Sequence, residues 1–265
     1  FEYELDLGSY QAGERIRLDS SHDGAYEVTL RVDVEYFADP SPLTDADDDQ
    51  DGISDRREAR IASELGGIAD PARQDVFVEV DWMPGHSMRT EVKRLVATQF
   101  LRHGMTLHVW RDREIRSDDC LTVPEVRTLY AKQFSRQRYG AYRYLIMTEQ
   151  IWNDASGVAW GDLVLIDDST WWIDGRVLSQ AGTLIHELGH TVGLNKDVYG
   201  GIDTVGWFSY DSAMNYTYQP FLVDYSDDGK GGRTYDHNDW EDVRADHALD
   251  FSFALIQSTA TGICR

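Results

Sequence analysis

Apolar and polar residues alternate with period two in three early stretches, Glu2 to Leu7, Glu14 to Asp19 and Tyr26 to Phe37. Gly8, Gly13 and the His22-Asp23-Gly24 turn interrupt them, so residues 1–38 read as a small β segment. Asp39-Pro40-Ser41-Pro42 is linker-like. An acidic loop follows and leads into a short helix from about Asp55 to Leu65, ended by Gly66-Gly67, so residues 39–66 form a second segment. From residue 73 to 265 strand and helix periods intermingle. Val76 to Trp82, Met105 to Trp110, Tyr142 to Met147 and Asp162 to Ile166 are apolar runs of strand length. Ser87 to His103 carries Val92, Leu95, Val96, Gln99 and Phe100 near one helical face. Val123 to Phe134 and Gly175 to Leu194 are two further helices, residues 195–237 are loop-rich, and His237 to Asp250 is expected to form a last helix. Strands mixed with helices predict an α+β (α/β) domain.

The helix from Gly175 to Leu194 carries the chemistry. Residues four apart on a helix share a face, so the imidazoles of His186 and His190 can converge on one metal ion. Glu187, beside the first of them, is placed to take a proton from an attacking water rather than to bind the metal. Leu178, Ala181, Ile185, Leu188 and Val192 form the stripe expected to bury this helix. Gly193 is placed to end it in a left-handed conformation and turn the chain back toward the metal.

His186-Glu187-x-x-His190-x-x-Gly193 resembles the metzincin metallopeptidases. Ser212-Ala213-Met214-Asn215-Tyr216 is similar to their Met-turn, whose methionine, here Met214, packs beneath the metal. Tyr216 matches the metal-approaching tyrosine of astacin-like and serralysin-like members. A strand like Val76 to Met83, a following Gly85-His86 and the stretch Val223-Asp224-Tyr225-Ser226 also resemble a group of secreted archaeal and bacterial members. The resemblance implies a twisted mixed sheet, an active-site helix, bound Zn2+ and hydrolysis of peptide bonds, with protein or peptide substrates. It also implies a substrate lying along a sheet edge, for which Ala155 to Gly161 is the candidate. The sequence departs from the pattern at residue 196, where the third ligand belongs. Lys196, when protonated, has no lone pair to offer. Asp197 is the preferred replacement, with Tyr199, Asp203 and His237 as alternatives.

A second metal is expected upstream. Asp47, Asp49, Asp51, Asp55 and Glu58 occupy positions 1, 3, 5, 9 and 12 of a calcium loop, with Gly52 at the sharp turn and the Ile53 carbonyl at position 7. The spacing is similar to the EF-hand-like loops of thrombospondin-type-3 and dockerin repeats and implies structural Ca2+.

Composition narrows the function classes. A net charge of −22 argues against nucleic acid and anionic membranes as partners. Asp outnumbers Glu and Arg outnumbers Lys. That skew fits a secreted protein adapted to molar salt (a halophilic surface), or an ordinary acidic secreted protein. No apolar run approaches a membrane span. Cys120 and Cys264 form either a disulfide or two buried thiols. No phosphate-binding glycine loop or nucleophile-elbow serine is present. Three readings follow: a secreted, monomeric zinc endopeptidase, a catalytically silent metal-binding or adhesion module that has lost its third ligand, and a zinc hydrolase of a non-peptide bond.

Overall fold

The computed structural model describes the backbone of residues 15–18 and 28–31, and residues 46–64, 69–116, 120–151, 155–169, 176–194, 210–227, 237–247 and 249. The chain divides into two compact units, Phe1–Asp45 and Ala46–Arg265. In the first, β1 (Arg15–Leu18) and β2 (Val28–Arg31) pair antiparallel. The expected strand from Glu2 to Leu7 lies outside the described residues.

The second unit opens with the acidic loop and α1 (Asp55–Glu64). There follow β3 (Asp75–Trp82), α2 (Thr90–Arg102), β4 (Thr106–Glu114), β5 (Cys120–Leu121) and α3 (Val123–Gln133). Then come β6 (Tyr142–Thr148), β7 (Gln150–Ile151), β8 (Gly157–Trp160), β9 (Leu163–Asp167), α4 (Arg176–Thr191) and a short α5 (Asp239–Asp242). A five-stranded sheet runs in the order β4-β3-β6-β9-β8. β4, β3, β6 and β9 are parallel, and β8 closes one edge antiparallel to β9, so the sheet is mixed.

Strand side chains alternate between faces, and both faces of this sheet are covered. Val76, Val78 and Val80 of β3 join Leu145 and Met147 of β6 and Val164 and Ile166 of β9 in a core shared with α2 and α4. Phe77, Tyr142, Tyr144, Ile146, Leu163 and Leu165 face the other way, into a core shared with α3 and with Ile53 and Ile61. Two strand carboxylates that enter this second layer have partners there. Glu79 is salt-bridged to Arg138 at 2.8 Å, and Asp81 accepts the Tyr144 hydroxyl at 2.7 Å. No helix among the described residues is long and apolar enough to cross a membrane. Cys120 is disulfide-bonded, and Cys264 lies outside the described residues.

The helix expected from His237 to Asp250 is a correction. Among its described residues only Asp239–Asp242 is helical. The backbone groups that would prolong it are taken elsewhere: Arg244 N–H donates to the Val192 carbonyl at 2.8 Å. The fully buried Arg143 guanidinium donates to the carbonyls of Ala245 (2.7 Å) and His247 (3.0 Å). Arg143 also donates to the Thr191 hydroxyl and carbonyl, and so places a cation at the C-terminal end of α4, where the helix dipole favours one. Burial lowers its pKa to about 10, which keeps it charged at neutral pH.

Candidate metal centre

Of the expected stripe, Ala181, Ile185, Leu188 and, just past the end of α4, Val192 are buried in the core shared with the sheet, and Leu184 joins them. Leu178 does not join them. It lies one turn before the point where residues 219–222 cross the helix, and it is 46% exposed. His186 is buried and His190 half-buried. α4 ends where Gly193 takes φ +101°, a region open to glycine at little cost. That turn brings the Leu194 carbonyl back over the last helical residues.

Two carbonyls, one from residue 213 and one from just past the helix end, fix a proton on each imidazole. His186 Nδ1 donates to the Ala213 carbonyl at 2.9 Å, and His190 Nδ1 donates to the Leu194 carbonyl at 2.8 Å. A carbonyl oxygen can only accept, so each ring carries a proton on Nδ1 and, when neutral, turns a lone pair outward at Nε2. The two Nε2 atoms lie 3.2 Å apart. Burial, and then the neighbouring His190, push the pKa of His186 down to about 3, so its ring is neutral at ordinary pH. Between two neutral rings the facing lone pairs repel each other unless a proton or a metal ion lies between them. Two nitrogens at about 2.0–2.1 Å from one tetrahedral zinc stand about 3.3 Å apart. The pair therefore has the spacing such an ion requires, and its Nδ1 hydrogen bonds leave both Nε2 atoms facing one point.

The segment 210–225 lies under this pair as a tight turn. Ser212 Oγ accepts the Met214 N–H at 3.1 Å, Asn215 N–H donates to the Ser212 carbonyl, and Ala213 N–H donates to the Asp224 carbonyl at 2.8 Å. Met214 is fully buried. Its Sδ would stand 2.4 Å from a Cβ at residue 189, so Gly189 is what lets the thioether reach the helix between the two histidines. The Tyr216 ring stacks on His186, with centroids 5.1 Å apart and planes 24° from parallel, and is 53% exposed.

Glu187 is almost wholly buried, beneath the edge strand β8. A Cβ at residue 157 would stand 2.4 Å from its Oε1, so the backbone of Gly157 lies directly against the carboxylate. Of the candidate edge at residues 155–161, Gly157–Trp160 form the strand β8, which sits at a sheet edge and passes over the acid.

The third ligand is not reached. Asp197, with Lys196, Tyr199 and Asp203, lies outside the described residues. His237, the remaining alternative, turns its Nε2 to Asp242 at 2.6 Å. Among the described residues no third His, Cys, Asp or Glu joins His186 and His190.

The acidic loop is a separate cluster. Ligand atoms of Asp47, Asp49 and Asp51 lie within 4.8 Å of one another. Asp51 N–H donates to Asp47 and Asp49, and Gly52 N–H to Asp47, folding the loop around its own carboxylates. Gly52 has φ +86°, and the Ile53 side chain is buried. Asp51 Oδ2 accepts the Asp75 N–H at 2.8 Å, which ties the loop to the start of β3. Asp55, half-buried, accepts the Asp48 N–H at 3.1 Å. Glu58 is fully buried, and neither carboxylate oxygen has a hydrogen-bond partner; the same holds for Oδ2 of Asp49. Burial first, and then repulsion from Asp51 and Asp49, raise Glu58 to about 8. Burial likewise raises Asp51 to about 7 and Asp49 to about 6. In another acidic group, Arg138 pairs with Glu79 and Asp112, Arg113 pairs with Asp112, and Asp81 accepts the Tyr144 hydroxyl and the Arg113 backbone N–H.

Sequence reasoning missed Arg143, Asp239 and the glycine contacts at 157 and 189. Each acts on residues distant in the chain and leaves no local pattern. No protein-family model matches the chain, and no curated protein is similar to it. Among solved structures it is similar to a zinc-dependent peptidase from Methanocorpusculum labreanum (strain Z), with a TM-score of 0.35 and 11% identity over 52% of this chain and 87% of that one. A likeness of that degree carries no weight for function beside the geometry of the imidazole pair.

Proposed function

We propose that this chain is a zinc-dependent endopeptidase of metzincin type, extracellular and monomeric, acting on protein or peptide substrates. The observation that supports it most is the 3.2 Å approach of two Nε2 atoms whose Nδ1 protons are both committed to carbonyls. His186 and His190 hold the ion, with Asp197 as the third protein donor. Zinc bound there supplies a water of near-neutral pKa and polarises the scissile carbonyl. Glu187, screened from bulk solvent by β8, takes the proton of the attacking water and passes it to the leaving amine. Tyr216, stacked beside His186, donates its phenolic O–H to the oxygen that gains charge. The substrate pairs as an added strand with the exposed edge of β8, which brings its backbone past Glu187. The test is cleavage of casein or a quenched fluorescent peptide over a range of salt concentrations, before and after metal removal. Activity lost with the metal and restored by one equivalent of zinc is expected. Zinc bound without turnover at any salt concentration would instead make the chain a silent metal-binding module, the outcome that Lys196 at the usual ligand position would explain.

We also propose that residues 47–58 hold a structural Ca2+, with Asp47, Asp49, Asp51, Asp55, Glu58 and the Ile53 carbonyl as donors. Support comes from Glu58, whose two buried oxygens lack any partner, an arrangement costly for a carboxylate unless a cation compensates it. The sign of the pH effect follows. Without calcium, Asp49, Asp51 and Glu58 bind protons more tightly folded than unfolded, so their contribution to stability is greatest below about pH 4 and falls as pH rises to about 8. In calcium-free buffer Tm should drop between pH 5 and pH 8, and millimolar calcium should remove most of that drop. A Tm profile unchanged by calcium would contradict the site.

A further inference from the structure

The hydrogen bonds around Asp239 point to a role for a residue far in sequence from the imidazole pair. Asp239 opens α5, is fully buried, and accepts from both chain limbs flanking the Met214 turn. The Tyr210 hydroxyl reaches both of its oxygens, at 2.7 and 2.8 Å. The Ser212 hydroxyl donates to Oδ2, and so does Ser226 N–H, at 3.1 Å. A serine hydroxyl has one proton. Giving it to Asp239 fixes the direction of the Ser212 lone pairs, one of which accepts the Met214 N–H at 3.1 Å. Residues 212 and 214 are thereby held on either side of Ala213. The Ala213 carbonyl is the group that keeps the proton of His186 on Nδ1.

We propose that Asp239 is a positioning residue for the metal centre: through Ser212 it holds the Ala213 carbonyl against His186, and so keeps His186 Nε2 aimed at the ion. The proposal rests on the zinc reading above and adds a residue to it. Outer partners of metal-binding histidines change metal affinity by roughly 10- to 100-fold when removed. Ser212 stands one step further out than the Ala213 carbonyl and Asp239 two, so the expected loss is at the lower end of that range.

The experiment is zinc affinity by competition with a chromophoric chelator, with Tm recorded for every variant. Asp239→Asn and Ser212→Ala should each weaken zinc binding about 10-fold. The double variant should be no weaker than the weaker single one, because both changes cut the same chain of contacts. Ser212→Thr, which keeps the hydroxyl, should restore parental affinity. Tyr210→Phe removes a donor to the same carboxylate but leaves Ser212 in place; it should lower Tm while affinity stays within about 2-fold of the parent. The proposal is overturned if Ser212→Ala binds zinc as tightly as the parent, or if Tyr210→Phe weakens binding as much as Ser212→Ala does. Should Asp239→Asn fail to fold, the serine and tyrosine variants still decide it. A parent that binds no zinc would overturn the metal reading itself, which is a different result from a parent that binds and variants that match it.

Discussion

Replacing Glu187 by glutamine should lower kcat/KM for peptide hydrolysis by on the order of 10²- to 10⁴-fold, with zinc content unchanged. Glutamine has the size of glutamate, so it fits beneath Gly157 without moving β8. What it lacks is a basic oxygen. Glu187 is nearly buried against a strand edge, so bulk water has poor access to replace it as proton acceptor. Single-turnover and steady-state rates with a quenched fluorescent peptide, together with metal content, measure both halves of the expectation. Parental rates would remove Glu187 from the mechanism. Zinc lost from the variant would make Glu187 a ligand instead of a base.

Gly182→Ala should be the most damaging small change in α4. A Cβ there would stand 1.7 Å from the Gln219 carbonyl oxygen and 3.1 Å from that of Leu222, both backbone atoms that cannot swing aside. Overpacking of this kind costs roughly 1–3 kcal/mol, occasionally more. For a unit of this size, each kcal/mol lowers Tm by about 2–4 °C. The helix and the turn carrying Met214 would also part, so zinc affinity should fall with Tm. Leu178→Ala, one turn earlier and exposed, should change stability by no more than about 0.5 kcal/mol. Equal thermal stability of the Gly182→Ala variant and the parent would mean that residues 219–222 do not lie on α4.

These two changes differ in how far the sequence announced them. Glu187 belongs to a motif contained in one helix, where a period of 3.6 residues translates spacing into geometry without any tertiary knowledge. The central strands β3, β6 and β9 were legible for a similar reason: they are buried on both faces and stand out as short apolar runs. β4 continues to Glu114, past the end expected from its apolar residues, because its second half is carried by charged side chains with no hydrophobic signal. The acidic loop was legible as a spacing, while the burial of Glu58 without a partner was not. Gly182, Gly189 and Asp239 were illegible because their meaning lies in a backbone carbonyl, a thioether and a serine from other parts of the chain. The failed helix beyond Asp242 belongs with them, since a buried arginine from β6 took the carbonyls that the helix needed.

The central claim is that His186 and His190 share one zinc ion through Nε2. X-ray absorption at the zinc edge, on protein loaded with one equivalent, tests it most directly. Two imidazole nitrogens at about 2.0–2.1 Å are expected, with one of them gone in each of His186→Ala and His190→Ala. A zinc shell without imidazole, or a parent that releases its zinc on dialysis, would contradict it.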